Sequence, residues 1–151
     1  MNQKLKRRQS GATLIEALVV LAIIGIAVGT SVLSLRPLAS PIDTGTTLLD
    51  GFFRQARLNA IATTSAYRVS AATNNRLMAA SASSCSATTW TTDPRLSLTL
   101  PNSVTMTSTS WQVCFSSRGI TGSNVNVTLQ HPTNGSRTVE VLVGGTSRIL
   151  P

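Results

Sequence analysis

Few residues in this chain could do chemistry, and their surroundings narrow what that chemistry is. Glu16 is the only charge between Ala12 and Leu35. A carboxylate in so apolar a run costs on the order of 2.5–3.5 kcal/mol at a bilayer centre unless a cation meets it. An ordinary membrane anchor gains nothing for that cost, so the carboxylate marks a specific use. Cys85 and Cys114 are the two cysteines. An even count in an oxidising compartment favours one disulfide over free thiols or a metal. Closing a loop of about 30 residues would add ~3–4 kcal/mol of stability by the chain-entropy account. Eight arginines lie from Arg54 to Arg148. Guanidinium suits bidentate phosphate contact, and Tyr67, Trp90 and Trp111 would add stacking if exposed. The same arginines would also serve simply as solvated charges on a Ser/Thr-rich surface.

Catalysis finds little to work with. The one histidine, His131, precedes Pro132 in a turn-like stretch. Beyond Glu16 the acids are Asp43, Asp50, Asp93 and Glu140, with no pair spaced for acid–base work and no Ser-His-Asp set. Two thiols and a distant histidine do not make a zinc site, and no glycine-rich loop offers a phosphate cradle. The expectation is a non-enzyme without metal or cofactor.

The elements around these residues are legible from patterning. Lys4, Lys6, Arg7 and Arg8 lead into Ser10-Gly11-Ala12-Thr13-Leu14-Ile15-Glu16, and the apolar run follows. From Ala12 to Leu35 a helix would be about 36 Å long at ~1.5 Å per residue, enough for a bilayer core of ~30 Å. The leading cations favour a cytoplasmic N-terminus. The run is longer than a secretory signal's apolar core of about 7–15 residues, and a plain anchor has no use for Glu16. Gly25 and Gly29 form a Gly-x-x-x-Gly pair that would allow close helix approach. Pro37 and Pro41 should interrupt the helix. A second helix is expected over 36–63, capped by Asp43, with Leu48, Leu49, Phe52, Phe53, Ala56, Ala60 and Ile61 on its apolar face and an exposed Asp50–Arg54 pair.

Residues 64–151 read as strands. Tyr67–Val69 and Arg76–Met78 flank Asn74-Asn75 as a hairpin; Arg95–Leu100, Trp111–Phe115 and Val125–Leu129 follow. Val139, Val141 and Val143 should share one face, before a Gly144-Gly145 turn and a last strand over Thr146–Leu150. Ala79–Thr92 reads as a loop tied down by Cys85. The chain of 151 residues carries a formal charge of +8; setting aside Lys4, Lys6, Arg7 and Arg8, the remaining charge permits an anionic partner without requiring one.

The junction at Gly11 resembles the signal of type IV pilin-like proteins. The resemblance implies cleavage by a prepilin peptidase after Gly11, N-methylation of Ala12 and placement of Glu16 as the fifth mature residue, opposite the terminal amine of a neighbouring subunit. Ala12 departs from the large apolar residue usual at the first mature position. Without residues 1–11, nine arginines face five acids, a net of +4. Arg54–Ile61, Val113–Gly119 and Val141–Arg148 further resemble the GspH/FimT pseudopilins. The implied fold is α+β, a long N-terminal helix packed on a small antiparallel β-sandwich-like domain. Implied partners are the prepilin peptidase, other pilins, the inner membrane and, in some relatives, DNA. The implied location is the inner membrane with a periplasmic domain, then a pilus or pseudopilus. The implied function is structural, in assembly of a type IV pilus; a DNA-uptake pilin and a type II secretion pseudopilin are the alternatives. The DNA-binding relatives use a terminal Gly-Arg-x-Arg motif. Here Gly145-Thr146-Ser147-Arg148 keeps only the second arginine, so Arg148, with Arg137 and Arg118, is the candidate set.

Overall fold

The computed structural model describes the backbone of residues 14–34 and 40–150, and the side chains of 14–24 and 40–150. The chain divides into two units between residues 38 and 39. In the first, α1 covers Leu14–Ser34, with Glu16 in its first turn, where the helix dipole favours an acid. Among the described residues no helix is long and apolar enough to cross a membrane. The Gly11–Ala12 junction and the bend expected at Pro37 lie outside the described residues.

The second unit is built on α2, Pro41–Ala62. Ser40, not Asp43, occupies the N-cap position, and it makes no side-chain cap bond. Pro41 at the start of the helix explains the shift, since its fixed φ and missing N–H suit the first helical position. Asp43 falls in the first turn instead. The apolar face is narrower than the sequence pattern implies: Leu49, Phe52, Phe53, Ala56 and Ala60 are buried, while Leu48 and Ile61 stay exposed.

Eight strands follow in two four-stranded antiparallel sheets. The first sheet holds β1 (Ala66–Thr73), β2 (Arg76–Ala82), β3 (Thr91–Thr99) and β5 (Gln112–Phe115), in the order β3-β2-β1-β5. Asn74-Asn75 turn β1 into β2, with Thr73 opposite Arg76. The second holds β4 (Thr105–Met106), β6 (Val125–His131), β7 (Gly135–Val141) and β8 (Ser147–Leu150), in the order β4-β6-β7-β8. One core joins α2 to both sheets through Leu49, Phe53, Val69, Leu77, Phe115, Leu129 and Val139. Phe53 meets Trp111 edge-on, with centroids 6.0 Å apart.

Three strand expectations change. Ala79–Ala82 belongs to β2, so the loop shrinks to residues 83–90. β3 starts at Thr91 because it carries a bulge: Met78 pairs with Ser97 but Ala79 with Asp93. The skipped residues include Pro94, which cannot donate to a ladder and is tolerated at a bulge on an edge strand. Val143 does not continue the face of Val139 and Val141. β7 ends at Val141, and Val143 is half exposed in the turn.

The 83–90 loop lies over the outer face of the first sheet. Its small polar residues bury too little to hold it there, and two contacts do so instead. Cys85 is disulfide-bonded to Cys114 of β5. The Arg68 guanidinium, from β1, lies 4.3 Å from the centre of the Trp90 ring, a cation–π contact worth about 0.5–1 kcal/mol where solvent reaches it.

Candidate functional site

The sequence singles out two regions, and they fall in different units. Glu16 sits in the first turn of α1, beside Ala17, Val20 and Leu21, which line a shallow hollow with it. Gly25 and Gly29 both lie within α1. Gly11 and Ala12 are outside the described residues.

In the second unit the candidate arginines Arg118, Arg137 and Arg148 do not converge. Arg148 stands on the outer face of the second sheet, opposite Glu140 across the β7–β8 ladder. Its Nε is 2.6 Å from Glu140 Oε2. Arg137 alternates with the buried Val139 and Val141, so it points to the inner side, where its Nε reaches Asp43 Oδ1 at 3.3 Å. Arg118 is exposed in the turn after β5 and has no ion pair among the described residues. The aromatic residues are not free platforms either. Tyr67 is buried, Trp111 packs on Phe53 and Trp90 is covered by Arg68.

What the sequence reading missed is a polar seam along α2. Asp43, Asp50 and Arg57 recur every seven residues, two helical turns apart, and so share a stripe. Each reaches a different part of the sheets. Asp43 takes Arg137 of β7. Asp50 accepts the Ser147 hydroxyl of β8 and pairs with Arg54 at 2.9 Å. That pair is therefore less exposed than expected, because the Asp50 side chain is only 14% exposed. Arg57 donates from Nε to the Gly119 carbonyl at 3.0 Å. The signal was present as a period-seven polar line beside the apolar face. It reads ordinarily as a solvated helix edge.

Where the seam ends, α2 and the β7–β8 turn enclose a groove of about 350 Å³. Arg54, Arg57, Leu58, Ile61 and Gly145–Ser147 line it. Gly145 has φ +76°, and a Cβ there would overlap the Gly119 carbonyl oxygen. A Cβ on Gly119 would in turn come 2.7 Å from Ile61 Cδ1. Gly145 is thus required for the turn to close on the helix, while a side chain at Gly119 would have to push the end of Ile61 aside.

The family described as the prokaryotic N-terminal methylation motif matches residues 6–32. The one described as type II transport protein GspH matches residues 46–146, most of the second unit. The chain belongs to the GspH family. This GspH-family chain also shares its fold with the type IV minor pilin FimU of Pseudomonas aeruginosa PAO1. One crystal form of FimU superposes with a TM-score of 0.58 at 14% identity, covering 73% of this chain and 88% of FimU. A second gives 0.56 at 15% identity, with 72% and 91% covered. No curated protein sequence matches the chain. In a GspH-family protein the methylation motif implies processing by a prepilin peptidase and assembly with other pilins.

Proposed function

We propose that the chain is a minor pilin of a type IV pilus, held in the inner membrane by its N-terminal helix until processed and then built into the filament. The observation that carries this reading is one chain with a methylation motif at residues 6–32 leading directly into a GspH domain at 46–146. Cleavage after Gly11 would free the amine of Ala12, and Glu16 would lie about one helical turn from it. A carboxylate in an apolar filament core needs a cation, and a neighbouring subunit's terminal amine meets that need at one axial offset. Glu16 would therefore set subunit register.

The experiment is Glu16→Val in the full chain. We expect normal processing, read as the mass of the mature N-terminus, with loss of the subunit from sheared filaments. Wild-type incorporation of this variant would refute the register role. The alternative machine, a type II secretion pseudopilus, is separated by deletion: loss of surface pili with intact secretion supports the pilus, and the reverse supports secretion. The placement of Arg118, Arg137 and Arg148 favours an assembly subunit over a DNA receptor, because two of the three are committed to Asp43 and Glu140.

A further inference from the structure

We propose that the groove between α2 and the β7–β8 turn docks an acidic, apolar segment of a different filament subunit; the proposal deepens the pilin reading and rests on it. The groove's own surface is the first argument. Leu58, on its wall, is 64% exposed and Ile61 44%. Two more exposed apolar residues flank it in the chain. Ile120, 47% exposed, follows Gly119, which packs on Ile61. Val143, 49% exposed, accepts the Thr121 amide through its carbonyl at 2.9 Å. Leu58 and Ile61 thus form the apolar wall of the groove, and Ile120 and Val143 stand on the adjoining backbone. Apolar residues scattered singly are ordinary, whereas a rimmed cluster marks an interaction surface.

Charge identifies the occupant. Arg54 and Arg57 line the groove, Arg54 paired with Asp50, and Arg118 stands one residue before the Gly119 that accepts from Arg57. Arg57 and Arg118 have no acidic partner among the described residues. Desolvating such a rim against an uncharged partner costs more than against an acidic one, which favours an occupant that carries carboxylates. A second copy of this chain is disfavoured by like charge, because residues 40–150 carry eight arginines against four acids. Three of those four acids already pair with arginines of the same chain, and the fourth accepts neutral donors. Asp43 holds Arg137, Asp50 holds Arg54 and Ser147, Glu140 holds Arg148, and Asp93 accepts the Arg95 amide. Nucleic acid fits less well than protein. The groove presents Leu58 and Ile61 rather than aromatic platforms, and the unit's Trp and Tyr side chains are occupied elsewhere.

The test is photo-crosslinking of the full chain in cells that build the filament, with a benzophenone amino acid replacing Leu58 and, as a control, Ser97 on the edge strand β3. We expect a Leu58-specific adduct with a different protein whose crosslinked peptide carries Asp or Glu beside apolar residues. Arg118→Glu should reduce that adduct about tenfold or more, the loss expected on reversing a charge at an interface hot spot. The Arg118 side chain makes no hydrogen bond or ion pair among the described residues, and Arg118→Gln serves as the milder variant if Arg118→Glu lowers the unfolding midpoint. An adduct with a second copy, an adduct with nucleic acid, no adduct above the Ser97 control, or an adduct indifferent to Arg118 would each overturn the proposal. Sheared filaments separate the two readings. The chain in filaments without the adduct refutes the groove alone, and the acidic adduct without filament incorporation refutes the pilin assignment alone.

Discussion

Gly145 and Gly135 share the same backbone angle, φ +76°, yet substitution by alanine should cost very different amounts. At Gly135 an added Cβ meets nothing within 4 Å. Only the left-handed conformation is then penalised, by roughly 1–2 kcal/mol, and the stiffer unfolded chain returns about 0.4–1. The net is about 0.5–1 kcal/mol. At Gly145 the same Cβ would overlap the Gly119 carbonyl oxygen, which is also the acceptor for Arg57 Nε. Backbone cannot swing aside as a flexible side chain can, so the turn must lift off α2. Losing that charge-assisted bond adds about 1.5–3 kcal/mol, for a total of about 2–4. Urea unfolding of both variants beside the wild type measures the difference. Midpoints should separate with the slope unchanged, and Gly145→Ala should melt well below Gly135→Ala, at about 4–8 °C per kcal/mol for a domain of around a hundred residues. Equal costs would refute the reasoning, because they would mean that the contact between the turn and the helix contributes nothing to holding this end of the domain.

Three further outcomes follow from the same contacts. Replacing both Cys85 and Cys114 by serine should cost about 3–4 kcal/mol, since the bridge closes a separation of 29 residues; a melting scan with and without reductant on the wild type checks it independently. Arg148→Ala should leave the fold intact but lower stability by about 1–2 kcal/mol, because the Arg148 side chain is 61% exposed while that of the Glu140 it leaves unpaired is only 13% exposed. The same variant in a DNA titration at low and high salt should match the wild type; salt-sensitive binding that Arg148→Ala weakens would establish a DNA receptor.

The fold was legible wherever burial alone dictates pattern. Alternation placed the faces of β1, β6 and β7, and Asn74-Asn75 gave the first hairpin, because a half-buried strand must repeat every two residues. It misled where a local device overrides the period. Pro94 puts a bulge in β3, so regular alternation resumes only at Leu96 and the strand's first half looked like loop. Asp43 has the chemistry of an N-cap, but Pro41 already fills the first helical position. Val143 keeps the parity of Val139 and Val141 after the ladder has ended. Periodicity reports what a residue would do if the strand continued, and not where the strand stops.

The fate of the charges was harder to read, and the reason is physical. Asp50 and Arg54 could be paired from spacing alone, as neighbours on one helix. Asp43 with Arg137 is separated by 94 residues and Asp50 with Ser147 by 97, so only the tertiary fold brings them together. The seam they form changes what the arginines mean. A count of eight arginines suggests a surface that attracts phosphate, but Arg137 and Arg148 are already matched to carboxylates within the domain. The charge excess of residues 40–150 is left to others, and two of those, Arg57 and Arg118, stand beside the exposed apolar cluster. Residues 40–150 carry eight arginines against four acids, so identical units would present like charge to one another, which opposes self-association and favours an acidic neighbour.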